Sequence, residues 1–329
     1  MTGLRMPPAS QQQKSTGEEG DNVIEIELTG LDGSNPLGYF AALGCLAGLA
    51  RLCPDAQPRL GWHNQMLPRP VLYSTGLASD EIVAALDADR QAWADAPALT
   101  FDGLPEIKLN AAQQRRYLLA CRGAGDGGRS AELASALIAE GTFAKNGGGK
   151  PTDLHFCAGS QKFLAIARSL QRDVTADLLR EAVFGPWEYE HTSDRFATFG
   201  WDVSDDRVYA YGFSAPAGTV KQLVPGADWL GLVGLAALPV RGRGEQSLPP
   251  GASGSWKKGV FRWGLWSVPL DWAATRALLC TGMPPSRVAG FRTGVFRVYS
   301  ARIRRTDQGG YGSFSPPRVI WDVTAGSPA

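Results

Sequence analysis

Apolar and polar residues alternate through Val23-Ile24-Glu25-Ile26-Glu27-Leu28, the period of a strand with one face buried. Thr29–Gly33 reads as a turn, because its glycines tolerate positive φ. Ser34 or Asn35 can cap a helix, and Pro36 suits its first position. Leu37, Phe40, Leu43, Ala47 and Ala50 then recur at helical spacing, while Gly38, Ala41, Ala42, Gly44 and Gly48 keep the helix thin. A helix of that kind can press close against a sheet.

The same reading continues down the chain. Leu60–Pro70 is expected as strand and loop, and Ser79–Trp93 as an amphipathic helix with Asp80 and Glu81 near its start. Ile107–Leu109 reads as a brief strand, and Asn110–Arg122 and Ser130–Gly141 as helices separated by the glycine loop 123–128. Phe143–Phe163 is loop-like around Lys145-Asn146-Gly147-Gly148-Gly149-Lys150-Pro151. Gln161–Val183 is helical with a break near Asp173, and Val208–Tyr211 is strand-like. Pro225–Pro239 is an apolar helix built with small residues, followed by Arg241-Gly242-Arg243-Gly244. In Ser255–Leu270, Trp256, Phe261, Trp263 and Trp266 interleave with Lys257, Lys258 and Arg262, which suits a half-buried strand or a base-stacking surface. Trp272–Cys280 is a short helix, and Val295–Ile303 a strand reaching the basic tip Arg302-Ile303-Arg304-Arg305. Gly309–Phe314 is a turn, Pro316–Trp321 closes a sheet, and Val323–Ala329 should fray.

These elements predict an α+β fold with mixed or antiparallel sheets and packed helices. The two strand-turn-helix units suggest two related halves. Residues 1–20, rich in Gln, Ser, Pro, Lys and Glu, read as a disordered tail; 21–223 form an N-terminal α+β domain and 224–329 a basic C-terminal part.

Charge sharpens that division. Residues 240–329 hold 13 Lys/Arg against 4 Asp/Glu, whereas residues 1–239 hold 20 against 28, within a net charge of +1. A basic end beside an acidic remainder points to an anionic partner, either a nucleic acid or an acidic protein. Five scattered cysteines without a C-x-x-C pair argue for a reducing compartment and against a zinc site. No apolar run is long enough to span a bilayer and no secretory signal is visible, so a cytoplasmic location without membrane contact is expected.

Catalytic signatures are sparse. Gly149-Lys150 resembles the end of a phosphate-binding loop, but Ala144 replaces its first glycine and Pro151 its Mg²⁺-binding hydroxyl residue. His155 and Cys157 are too few ligands for zinc, and no G-x-S-x-G elbow occurs. Neither catalysis, metal nor cofactor is expected. The competing enzyme reading is a metal-dependent hydrolase using the carboxylates of Asp202, Asp205 and Asp206.

Four segments carry a resemblance: LTGLDGSNPLGYFAALGCLAGLARL, FGWDVSDDRVYAYGFSAP, GADWLGLVGLAALPV and VYSARIRRTDQGGYGSFSPPRVI. Together they resemble the large-subunit proteins of type I-U (I-G) CRISPR effector complexes, over roughly residues 23–320. The resemblance implies a non-catalytic Cascade subunit that binds target double-stranded DNA next to the protospacer, recognises the PAM and helps open the duplex. Its implied partners are other Cascade subunits, crRNA and the helicase–nuclease, in antiviral defence. The residues themselves suggest DNA contacts at Lys145, Asn146, Lys150, Arg241, Arg243, Lys257, Lys258, Arg302, Arg304 and Arg305. Charge reversal of Arg304 and Arg305 is expected to weaken duplex capture without altering the fold. A scaffold without direct DNA contact is the alternative.

Overall fold

The computed structural model describes residues 23–204, 221–281, 293–305 and 311–323. Strand β1 (Val23–Glu27) leads into helix α1 (Pro36–Leu52). Asn35 caps α1 by accepting from the Leu37 N–H at 3.1 Å, with Pro36 at the first helical position. Every residue from Pro36 to Leu49 is buried, so this helix is covered all round. Strands β2 (Arg59–Trp62) and β3 (Pro70–Thr75) complete an antiparallel sheet of order β1-β3-β2.

Helices α2 (Ser79–Gln91), α3 (Pro97–Thr100), α4 (Ala111–Arg122) and α5 (Arg129–Leu137) follow. A reciprocal capping box starts α4: Asn110 accepts from Gln113 N–H, and the Gln113 side chain accepts from Asn110 N–H, each at 3.0 Å. Ile107–Leu109 forms no strand. Leu109 N–H donates to the Ile107 carbonyl at 2.8 Å, and the local turn leaves no extended edge to pair. The helix expected to reach Gly141 ends at Leu137, where the chain enters β4 (Ile138–Phe143) and pairs with β5 (Gly149–Pro151).

Next come α6 (Phe163–Asp173) and α7 (Ala176–Phe184), the latter capped by Thr175, then β6 (His191–Thr192), β7 (Gln222–Leu223) and α8 (Pro225–Gly234). The break near Asp173 therefore falls where the polar pattern placed it. The C-terminal part contains β8 (Arg241–Arg243), β9 (Gln246–Leu248), β10 (Ala252–Ser253), β11 (Gly259–Trp266), α9 (Trp272–Thr281), β12 (Val295–Arg305), β13 (Gly312–Phe314) and β14 (Arg318–Asp322). Strands β10-β11-β12-β13 form one antiparallel sheet, with β14 also paired to β12. The fold is α+β, and its paired strands are antiparallel. The tail 1–20, Val208–Tyr211, residues 309–310 of the expected turn and residues 324–329 lie outside the described residues, and Gly312–Phe314 of that turn is strand β13.

The thin face of α1 meets another helix as well as a sheet. A Cβ on Gly44 would sit 1.9 Å from the Leu230 carbonyl oxygen of α8, and one on Gly234 would sit 1.9 Å from the Phe40 oxygen of α1. Backbones can approach that closely only where both helices lack side chains. On its other side α1 meets β11: Tyr39 lies 6.2 Å from Trp263 and Phe40 5.4 Å from Phe261, between ring centroids. Three buried indoles keep hydrogen-bond partners, whereas Trp62 Nε1 is buried without one among the described residues. Trp263 donates to Gly33 O, Trp266 to Leu60 O and Trp201 to Leu154 O, at 2.8, 2.8 and 2.9 Å. One apolar cluster runs from Leu28 to Phe314 and includes both α1 and α8.

None of the five cysteines is in a disulfide, and their access is unequal: Cys45, Cys121 and Cys157 are buried, Cys53 is half-buried and Cys280 is exposed. A thiol-reactive dye under native conditions should therefore modify Cys280 first, with Cys53 slower and the other three only after unfolding. Rapid modification of Cys45, which lies in the middle of α1, would contradict the packing described.

Candidate nucleic-acid interface

The hairpin β4–β5 closes with Phe143 opposite Gly149 and with Ala144 N–H donating to Gly148 O at 2.8 Å. What reads as an open loop is thus a short hairpin tip, and it holds Lys145 and Asn146 out in solvent. The Asn146 side chain accepts from Gly148 N–H at 3.2 Å, and Gly147 supplies the positive φ of 78°. Hairpin β8–β9 docks alongside. Ser247 Oγ donates to Lys150 O at 2.7 Å, Asp153 N–H to Ser247 O at 2.9 Å, and Gln246 Nε2 to Asp153 Oδ2 at 3.0 Å. Arg243 then ties this pair to the loop before β11 by donating to Gly254 O at 2.7 Å.

Trp256 lies in that loop. The Lys150 ammonium is 5.0 Å from its ring centroid and the Arg305 guanidinium carbon 3.5 Å. Both are within cation–π range. Lys150, Arg243, Trp256 and Arg305, from four separate segments, therefore surround one point. Asp153 sits among them, 3% exposed. Burial raises its pKa, against the opposing pull of Arg305, Gln246, Arg243 and Lys150. Of the remaining candidates, Arg241, Lys257, Lys258 and Arg302 are exposed at the same end of the molecule, and Arg304 is half-buried.

Arg305 differs from the expectation. Its Nη1 donates to His155 O at 3.0 Å and its Nη2 to Asp153 O at 2.6 Å, and its guanidinium also stacks on Phe156 at 5.4 Å. Burial pulls its pKa down to about 10, with the Asp153 charge opposing. Reversing its charge would strip two carbonyls and a ring of their partner, so it cannot leave the fold untouched. The interleaved aromatics divide in the same way. Phe261, Trp263 and Trp266 are at most 1% exposed and belong to the core, so only Trp256 remains available to a ligand from this segment.

The carboxylate reading meets a structural role. Asp202 accepts from Asn35 Nδ2 at 2.9 Å, from the Tyr189 hydroxyl at 3.0 Å and from Ser204 N–H at 2.9 Å. It thereby holds the residue that caps α1. Asp205 and Asp206 lie outside the described residues. The three histidines each face a glutamate: His63–Glu27 at 2.7 Å, His155–Glu106 at 2.8 Å and His191–Glu181 at 3.2 Å. His155 is 1% exposed, and its burial lowers its pKa, against the pull of Glu106. Among the described residues, no group of three or more His, Cys, Asp or Glu side chains is arranged to hold a metal ion. Among the same residues no helix is long and apolar enough to cross a membrane.

No family model and no curated protein matches the sequence. The site is therefore read from its own geometry. Arg305 was legible in part: strand alternation from the apolar Ala301 and Ile303 puts position 305 on the inward face. Trp256 as the centre was not legible, because its neighbours come from segments about 50 to 100 residues away in sequence.

Proposed function

We propose that this chain is a non-catalytic, DNA-binding large subunit of a type I-U (I-G) CRISPR effector complex, acting in the cytoplasm. The observation that supports the reading is the gathering of Lys150, Arg243 and Arg305, from three separated segments, at the loop that carries Trp256. Such an end neutralises phosphates, and Asn146 on its projecting tip has the donors and acceptor to meet a base edge. Within the reading, crRNA pairing carries target sequence, while this subunit holds the duplex beside the protospacer, recognises the PAM and aids opening. Other Cascade subunits and the helicase–nuclease are its partners.

The test uses the purified protein, alone and co-expressed with a crRNA and the other subunits. Duplex affinity is measured as a function of salt for the wild type and for Lys145→Ala/Arg241→Ala/Lys258→Ala. These three side chains are exposed, so the melting temperature should not change. The slope of log affinity against log salt is expected to fall in magnitude by about 2.7, at about 0.9 per phosphate contact on duplex DNA. An unchanged slope, or a complex that forms equally well without nucleic acid, would instead favour an acidic protein as the partner.

A further inference from the structure

The C-terminal sheet has a second basic surface, formed by strand register alone. Arg262 on β11 pairs with Ser300 on β12, and Ser300 pairs with Arg318 on β14. These three residues form a row across three strands on one sheet face. Arg302 lies two residues along β12 from Ser300 and shares that face. Arg262, Arg302 and Arg318 are all exposed. The opposite face, with Phe261, Trp263, Tyr299 and Ala301, is the one buried against α1. The only carboxylate on the described strands of this sheet is Asp322. It pairs with Arg297 at 2.5 Å in the register of the buried face. The open end of the outward face therefore carries three exposed guanidinium groups, with the Ser300 hydroxyl between Arg262 and Arg318, the Ser253 hydroxyl accepting from Arg262 at 3.5 Å on the outer strand β10, and no countercharge from the described strands of the sheet.

We infer that this outward face is a second nucleic-acid contact, which grips the phosphate backbone of duplex DNA without reading its bases. The inference rests on the DNA-binding reading above and adds Arg262, Ser300 and Arg318 to the contact surface. Spacing supports a polymer over a single phosphate. Arg262 and Arg318 are two strand spacings apart, about 10 Å, and Arg302 is about 7 Å along the strand from Ser300. One nucleic-acid strand presents a charge about every 3.4 Å of helix axis, so a row of this length reaches past a single phosphate to its neighbour. Continuity supports it too: Val260, two residues from Lys258, pairs with Arg302, so the face joins the end of the molecule that carries Lys257 and Lys258. Chemistry favours backbone over base. The planar guanidinium fork matches phosphate oxygens. Single-strand binders instead need open aromatic platforms, and the described rings on this face offer none: Phe296 is buried, and Trp321 is half-buried beside Val298 at the far end.

The test compares Arg262→Ala/Arg318→Ala with the Lys145/Arg241/Lys258 triple variant on several duplexes of unrelated sequence. The double variant should melt like the wild type, reduce the salt slope by about 1.8 and weaken every duplex equally. Arg262→Lys/Arg318→Lys should restore the slope, because the charges return. If the double variant leaves the slope unchanged while the triple variant lowers it, the sheet face is idle and the DNA-binding reading stands without it. A loss confined to one duplex sequence would mean base readout and overturn the backbone grip. Equal protection of the site by polyglutamate would identify an acidic protein as the occupant. If neither variant changes duplex binding, the DNA-binding reading fails and this inference with it.

Discussion

Replacing Asp89 with alanine is expected to destabilise the fold by about 3–5 kcal/mol, the cost of breaking a buried ion pair from one side. Asp89 is 2% exposed on α2. It accepts from Arg51 Nε at 2.9 Å and Nη2 at 2.7 Å, from Arg129 Nη2 at 3.1 Å and from Trp93 Nε1 at 3.2 Å. Both guanidiniums also lie over the Trp93 ring, at 5.6 and 5.7 Å. One carboxylate thus joins α1, α2 and the start of α5, and its removal leaves Arg51 with Glu132 at 3.9 Å and Arg129 with the Asp126 carbonyl at 2.8 Å as their remaining polar partners. At about 2 °C per kcal/mol for a chain of this size, the melting temperature should fall by roughly 6–10 °C. A fall under 2 °C would show that the arginines find other partners.

The pH dependence follows from the same contacts. Burial alone would raise the Asp89 pKa, but the hydrogen bonds and charges of Arg51 and Arg129 outweigh it and hold the carboxyl below its ordinary range. A depressed folded-state pKa gives stability that is fully present above the unfolded value, near about 4, and is lost as pH falls through the folded value. The stability gap between wild type and Asp89→Asn should therefore be constant from neutral pH to about 4 and close below it. A gap that persists in strong acid would remove the charge from the explanation.

Gly44→Ala is the second large effect. Its Cβ would meet the Leu230 carbonyl oxygen at 1.9 Å and the carbonyl carbon at 2.7 Å, both backbone atoms with no rotamer to give way. Alanine gains about 0.8–1 kcal/mol over glycine in a helix interior. Forcing α1 and α8 apart costs typically about 1–3 kcal/mol and sometimes more, and also opens voids beside Leu37 and Trp201. Net destabilisation of about 2 kcal/mol or more is expected by chemical denaturation. Gly234→Ala should behave alike, from 1.9 Å against Phe40 O, and the double variant should cost less than the two together because one separation accommodates both. Gly48→Ala is the control. Its new methyl meets side chains and no backbone, the Leu86 tip at 3.0 Å and Asp89 Oδ2 at 3.4 Å, so a smaller effect than at Gly44 is expected.

Much of the local structure was legible in the sequence because local physics decides it. Asn35-Pro36, Asn110 with Gln113, and Thr175 start helices through short-range hydrogen bonds that depend on neighbouring residues alone. Alternation through Val295–Ile303 marks β12 because one face stays largely apolar along its length, while the other passes from buried Phe296 and Val298 to exposed Arg302. Ile107–Leu109 and Ile138–Phe143 were misread because two apolar residues flanking Lys108 do not distinguish a turn from a strand, and because a hairpin partner decided where α5 ends. The charge asymmetry was visible, but its partition was not. Arg302 faces solvent and Arg305 the interior, and the second assignment needs the carbonyls of Asp153 and His155, about 150 residues earlier. The outward arginine row likewise exists only once three strands are in register.

The α1–α8 crossing has a consequence for how the protein is made. During synthesis, α1 leaves the ribosome about 170 residues before the helix that covers its glycine face. At about 5–20 residues per second, roughly 10–35 s pass with an apolar helix lacking its lid. A nascent chain in that interval exposes an aggregation-prone face, and a fragment that stops short of Gly226 never acquires the missing cover.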